Sequence, residues 1–243
     1  MSKKVINQNP NYKTELLNSV ESKFNFTEKP INRFKNTEDN LKISPLNYNT
    51  NKEKELANLK EQINSIRDCD IKNNSRQIVL GYGNINSSIM IVAGAPGSEE
   101  EKNGQPFMGE AGELLKKMLI SINIEKKNIY STYAVNFRPP EDRKPTSFEI
   151  KKYSQFLQKH ISIIKPSIVI LMGSVAMESL TGLNNKISTE RGEWKEVIVK
   201  NTSYSVIITF SPSYLLKVSE NKKYSWQDLK KIKQKITDLK LKI

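Results

Sequence analysis

At 243 residues the chain is long enough for one sizeable domain with extensions, and no apolar run approaches the roughly 18 residues of a membrane-spanning helix. Its 39 basic and 26 acidic residues leave a net charge of +13, which favours a polyanionic partner, nucleic acid first; the excess of lysine over arginine also fits plain compositional bias. The single cysteine, Cys69, excludes an internal disulfide and a cysteine-held metal cluster. The N-terminal MSKKVINQNPNYK has no apolar stretch of the kind a secretory signal needs, so a cytoplasmic protein is expected.

Residues 1–50 carry ten Asn and few clustered apolar residues, the composition of a disordered basic tail ahead of a domain over 51–243. Leu56, Leu59, Ile63 and Ile66 recur at helical spacing and predict an amphipathic helix over 51–66. Gln77–Leu80 and Ser88–Ala93 are expected strands joined by the turn-rich GYGNIN. The stretch GAPGSEEEKNGQPFMGEAG, Gly94 to Gly112, has two Pro and five Gly, so no regular structure is expected there before a helix over about 111–122. A strand is expected over 128–135. Thr146 and Glu149 form a capping box for a helix that stops before Pro166. Ile168–Met172 is a strand, Gly173 opens a helix over 174–181, Glu196–Val199 and Tyr204–Thr209 are strands, and a Lys-rich helix covers 225–241. Strands alternating with helices predict an α/β fold: a three-layer α/β/α sandwich around a short, mostly parallel sheet. His160, the only histidine, lies in the 149–164 helix away from these motifs and is expected on its surface or in its packing.

GAPG is not a phosphate loop, because the Gly-Lys-Ser/Thr ending is missing and no GxGxxG follows a strand. Taken in order, however, IMIVAGAPGSEEEKNGQPFMGEAGELL, NIYSTYAVNFRPPEDRKPT, IVILMGSVAM, ERGEW and ITFSPSYLLK resemble the family 4 uracil-DNA glycosylases over about residues 66–240. The resemblance implies a DNA-repair enzyme without membrane contact. It would act as a monomer on single- or double-stranded DNA containing uracil, or a related deaminated base. The target nucleotide must be flipped into a pocket that stacks the base and reads its edge. Breaking the glycosidic bond then calls for a carboxylate beside the sugar cation and a donor at the departing uracil O2. By resemblance Phe107 is the stacking aromatic, and Ala95, Pro96 and Gly97 form the loop that approaches base and DNA. Leu215 or Leu216 is the wedge that fills the vacated stack. Arg138, Arg143 and Lys217 lie near the DNA face.

Three pocket positions depart from the family. The Glu of its GEAPG motif is Gly94 here, the Asn of its Tyr-x-Thr-Asn pattern is Tyr133, and the His of its HPAYLL is Ser211. Glu99, Glu100 or Glu101 is a candidate substitute acid, Glu100 being the central one of the three. Tyr133 supplies one hydroxyl in place of an amide's donor and acceptor and would fill part of the pocket. Ser211 keeps a neutral but shorter donor. Iron–sulfur members use four Cys; here only Cys69 stands at a matching position and Phe137 replaces the cysteine before RPP. One thiol cannot hold a cluster, so no cofactor and no metal is expected. Two readings stay open, uracil excision and DNA or damaged-base binding without excision, beside a protein-interaction role for the tail.

Overall fold

The computed structural model describes residues 48–67 and 69–241. The expected tail falls on residues 1–47, outside the described residues; 48–50 already belong to the first helix. In chain order the elements are α1 Tyr48–Asn64, α2 Asp70–Asn74, β1 Gly81–Gly83, β2 Ile89–Ala93, α3 Ser98–Asn103, α4 Gly109–Ile120, β3 Ile129–Tyr133, α5 Ser147–Ile164 and β4 Ile168–Met172. They continue with α6 Ser174–Thr181, α7 Ile187–Glu190, β5 Trp194–Val199, β6 Thr202–Thr209, α8 Pro212–Lys217 and α9 Lys222–Asp238.

The six strands lie in the order β1-β3-β2-β4-β6-β5. The inner four run parallel, and the short edges β1 and β5 are antiparallel to their neighbours. β2 and β4 are apolar and buried at every position, as interior parallel strands are. Their side chains alternate between two cores. Met90, Val92, Val169 and Leu171 pack with α1, α5 and α6 on one face, while Ile89, Ile91, Ile168 and Ile170 pack with α4, α8 and α9 on the other. The expected three-layer α/β/α sandwich is therefore present.

Two expectations need correcting. Gln77–Leu80 is not a strand. Val79 N–H donates to the Asn136 carbonyl at 2.8 Å, but the ladder with β3 forms one step later, at Gly81–Gly83. Glycine is required there: a Cβ at Gly83 would stand 2.2 Å from the Ile129 carbonyl oxygen. The stretch 94–112 is not wholly irregular either, because SEEEKN forms α3, with three acidic residues in its first turn where the helix dipole favours them. The Thr146–Glu149 capping box is present, with Glu149 N–H donating to Thr146 Oγ1 at 3.3 Å and Thr146 N–H to Glu149 Oε2 at 2.7 Å. No helix among the described residues is long and apolar enough to cross a membrane.

Candidate active site

β2 leads through α3 and α4 to β3 on one side, whereas β4 leads to β6 on the other. The connections diverge at the carboxyl ends of β2 and β4, and such a switch point opens a crevice in a parallel sheet. A cleft of ≈ 750 Å³ lies there. It is walled by the 94–97 loop, Phe107, Tyr133, the start of α6 and the start of α8. Backbone packing is tight at its base. A Cβ on Gly94 would sit 3.1 Å from Val175 Cβ, and one on Gly173, whose φ is +95°, would sit 3.3 Å from Ser211 Cβ.

Thus the fold brings Gly94, Ala95, Pro96, Gly97, Glu100, Phe107, Tyr133, Arg143, Ser211 and Lys217 to one cleft. It does not bring Arg138, Leu215 or Leu216 to the cleft wall. Leu215 is fully buried against α4 and α9 and offers no surface to DNA, which corrects its half of the wedge expectation; Leu216 is 42% exposed on α8. Arg138 donates to Asp142 from Nε at 2.7 Å and from Nη2 at 2.9 Å, and to Glu101 at 3.3 Å. Arg143 pairs with Glu149 through two bonds of 2.8 and 2.6 Å. Both guanidinium groups, expected to face DNA, are spent on intramolecular carboxylates. Arg143 still borders the cleft, beside exposed Lys144, which the sequence reading did not single out. Val175 and Tyr214 were also missed; Tyr214 sits inside the SPSYLL motif, so its neighbours carried the signal.

The pocket chemistry is largely tied up. Tyr133 is buried, its ring 5.6 Å from that of Phe107 with the planes 31° apart. Phe107 N–H donates to the Tyr133 hydroxyl at 3.1 Å, and the Glu100 carboxylate lies beside that hydroxyl. Burial first, and the Glu100 charge second, push the Tyr133 phenol well above its ordinary value. It therefore stays a neutral group whose lone pair takes Phe107 N–H, with the Glu100 carboxylate nearby. Glu100 in turn accepts from Gly97 N–H at 3.0 Å and Met108 N–H at 3.1 Å. The candidate acid thus ties both ends of the loop. Phe107 itself holds φ +59°, a left-handed backbone that this knot maintains. Ser211 Oγ accepts from Tyr214 N–H at 3.3 Å as the N-cap of α8.

Residues 80–230 match the model of the uracil DNA glycosylase superfamily. The chain belongs to the uracil-DNA glycosylase superfamily. It is 32% identical to the type-4 uracil-DNA glycosylase of Archaeoglobus fulgidus over 181 residues, 73% of this chain and 91% of the relative. It is 33% identical to that of Thermotoga maritima over 179 residues, 71% and 90% of the two chains. A stretch of 118 residues, 48% of this chain, is 32% identical to 13% of a DNA polymerase of Bacillus phage SP01.

The iron–sulfur cluster of family members does not fit this chain. The sequence holds one cysteine, and among the described residues no three His, Cys, Asp or Glu side chains converge as a metal site. Cys69 is buried with its Sγ 3.4 Å from the Tyr153 hydroxyl, and Phe137 meets the same Tyr153 ring edge-on at 6.4 Å. An apolar cluster occupies the ground. His160 proves to be a packing residue: it is buried, with Nε2 at 2.9 Å from the Tyr130 hydroxyl and Nδ1 at 3.4 Å from Thr132 Oγ1.

Proposed function

We propose that this protein is a DNA-binding member of the uracil-DNA glycosylase superfamily whose base excision is strongly attenuated. One observation carries the reading. Tyr133 stands where the family has its base-reading Asn, lays its ring against Phe107 and has its hydroxyl engaged by Phe107 N–H and Glu100. A uracil entering the cleft would meet a phenol ring in place of an amide that pairs with its edge. Position 94 supplies no carboxylate for the developing sugar cation. Ser211 reaches less far than His toward the leaving oxygen. Loss of one donor of that kind typically costs about a hundred- to a thousandfold in rate.

Recognition of DNA is supported by what the cleft keeps. The 94–97 loop and the exposed Lys144 and Lys217 border it, and the chain as a whole is strongly basic. A second reading, removal of uracil or a related deaminated base at a useful rate, has one observation in its favour. The cleft remains open at ≈ 750 Å³ with the Glu100 side chain in its wall. Single-turnover assays on uracil-containing single- and double-stranded DNA, scored for abasic sites beside a binding titration, decide between the two. Binding with no abasic product at large enzyme excess is the expected result. Prompt cleavage at rates typical of glycosylases would overturn attenuation.

A further inference from the structure

A second cavity of ≈ 540 Å³ is lined by Lys186, Arg191, Phe210, Tyr214 and Tyr224, with Asn221 and two α7 residues completing it. Tyr214 of α8 lines both this cavity and the cleft. The side chains form a cluster of rings and cations. Tyr214 stacks on Phe210 at 5.0 Å and 27°, the Arg191 guanidinium lies 5.6 Å from the Phe210 centroid and 5.3 Å from that of Tyr224, and Lys223 Nζ lies 5.1 Å from Tyr224.

Arg191 is mostly engaged: Nε and Nη2 are held by the buried carboxylate of Asp228 and by the Tyr224 carbonyl, and the guanidinium lies over the Phe210 and Tyr224 rings. Asn221 spends its amide on the Tyr214 hydroxyl at 2.7 Å. The lining therefore presents aromatic rings beside the Lys186 ammonium, with the Asn221 amide N–H and most of the guanidinium already engaged. Tyr214 and Tyr224 are each 38% exposed, and Lys186, Lys222 and Lys223 are exposed around them. Exposed aromatic rings set among lysines are how proteins hold single strands without reading sequence: bases stack and the lysines follow the phosphates.

We propose that this cavity takes an unpaired nucleobase of the same DNA strand that occupies the cleft, the strand crossing α8 over Tyr214. The proposal rests on the DNA-binding reading above and adds a preference for single-stranded or frayed DNA with little regard to base identity.

The test uses the full chain and a fluorescein-labelled oligothymidylate followed by anisotropy. Tyr224→Ala should weaken binding about tenfold, within the range for loss of one base–aromatic stack. Tyr224→Phe should bind like the parent. The same oligomer built entirely of abasic spacers should bind both the parent and Tyr224→Ala equally. A Tyr224→Trp variant should show added fluorescence that oligothymidylate quenches and free dTMP at equal nucleotide concentration does not. It covers the case in which Tyr224→Ala fails to fold. Quenching by dTMP as tight as by the oligomer would replace the strand with a free nucleotide and overturn the proposal. If Tyr224→Ala binds oligothymidylate like the parent while Lys217→Ala weakens it, the cavity is not a base site but DNA binding through the cleft stands. If the parent binds no DNA at all, both readings fall.

Discussion

A Cβ at position 94 would come within 3.1 Å of the Val175 Cβ, so a carboxylate placed there requires Val175 to give way. Gly94→Glu alone overpacks the start of α6 and should cost about 1–3 kcal/mol in stability, read as a lower melting temperature. Combined with Val175→Ala to make room, and with Tyr133→Asn and Ser211→His, it should raise single-turnover uracil excision by about a hundredfold or more. The family resemblance identified these three altered positions from the residues alone. It could not show the obstacle, because Val175 is distant in sequence and meets Gly94 only where β2 and β4 lie side by side. Nor could it show that Glu100 is a brace rather than a free acid. Both of its backbone partners, Gly97 and Met108, depend on how the loop closes.

At the scale of elements, α5 illustrates why some features were readable and others not. Its start is local chemistry: the Thr146 hydroxyl and the Glu149 carboxylate satisfy each other's backbone N–H groups, a pattern visible at three-residue spacing. Thr146→Ala should cost about 1 kcal/mol, measured by denaturant titration. Hydrogen bonding to Arg143, ahead of all other favourable contacts, pushes the Glu149 carboxyl down to about 2. A depressed folded value gives stability that is full above the unfolded value of 4.5 and lost as pH falls toward about 2. Burial pushes His160, on the same helix, down to about 3, so the fold holds it neutral between Tyr130 and Thr132. Below its ordinary 6.5 the unfolded chain binds a proton that the folded chain refuses, and stability declines by about 1.4 kcal/mol per pH unit until about 3. His160→Gln should flatten the stability–pH curve between 6.5 and 4.5, before Glu149 titrates. The sequence left this histidine between surface and packing, since its partners come from β3. Strands β2 and β4 were legible as apolar runs. β1 was not, because Gly-Tyr-Gly has no strand pattern and pairs only through the close approach that glycine allows.

For the whole molecule, the net charge of +13 invites an electrostatic account of DNA binding, but charges differ in what they are free to do. Arg138 and Arg143 hold Asp142, Glu101 and Glu149, and these contacts brace the 137–149 segment. Lys144 and Lys217 border the cleft and are exposed, with solvated cations that phosphates can displace from their counterions. Each phosphate contact on a single strand contributes roughly −0.7 to the slope of log affinity against log salt. Lys144→Ala and Lys217→Ala should therefore each flatten that slope by roughly 0.7 and leave thermal stability nearly unchanged. Arg143→Ala should do the reverse: it strips the partner from a mostly buried Glu149 carboxylate, so melting temperature falls while the salt slope moves little. Measuring slope and melting temperature on all three variants separates charges that meet DNA from charges that hold the fold. An Arg143→Ala variant with unaltered stability and a flattened slope would return that guanidinium to the DNA face, against the pairing seen here.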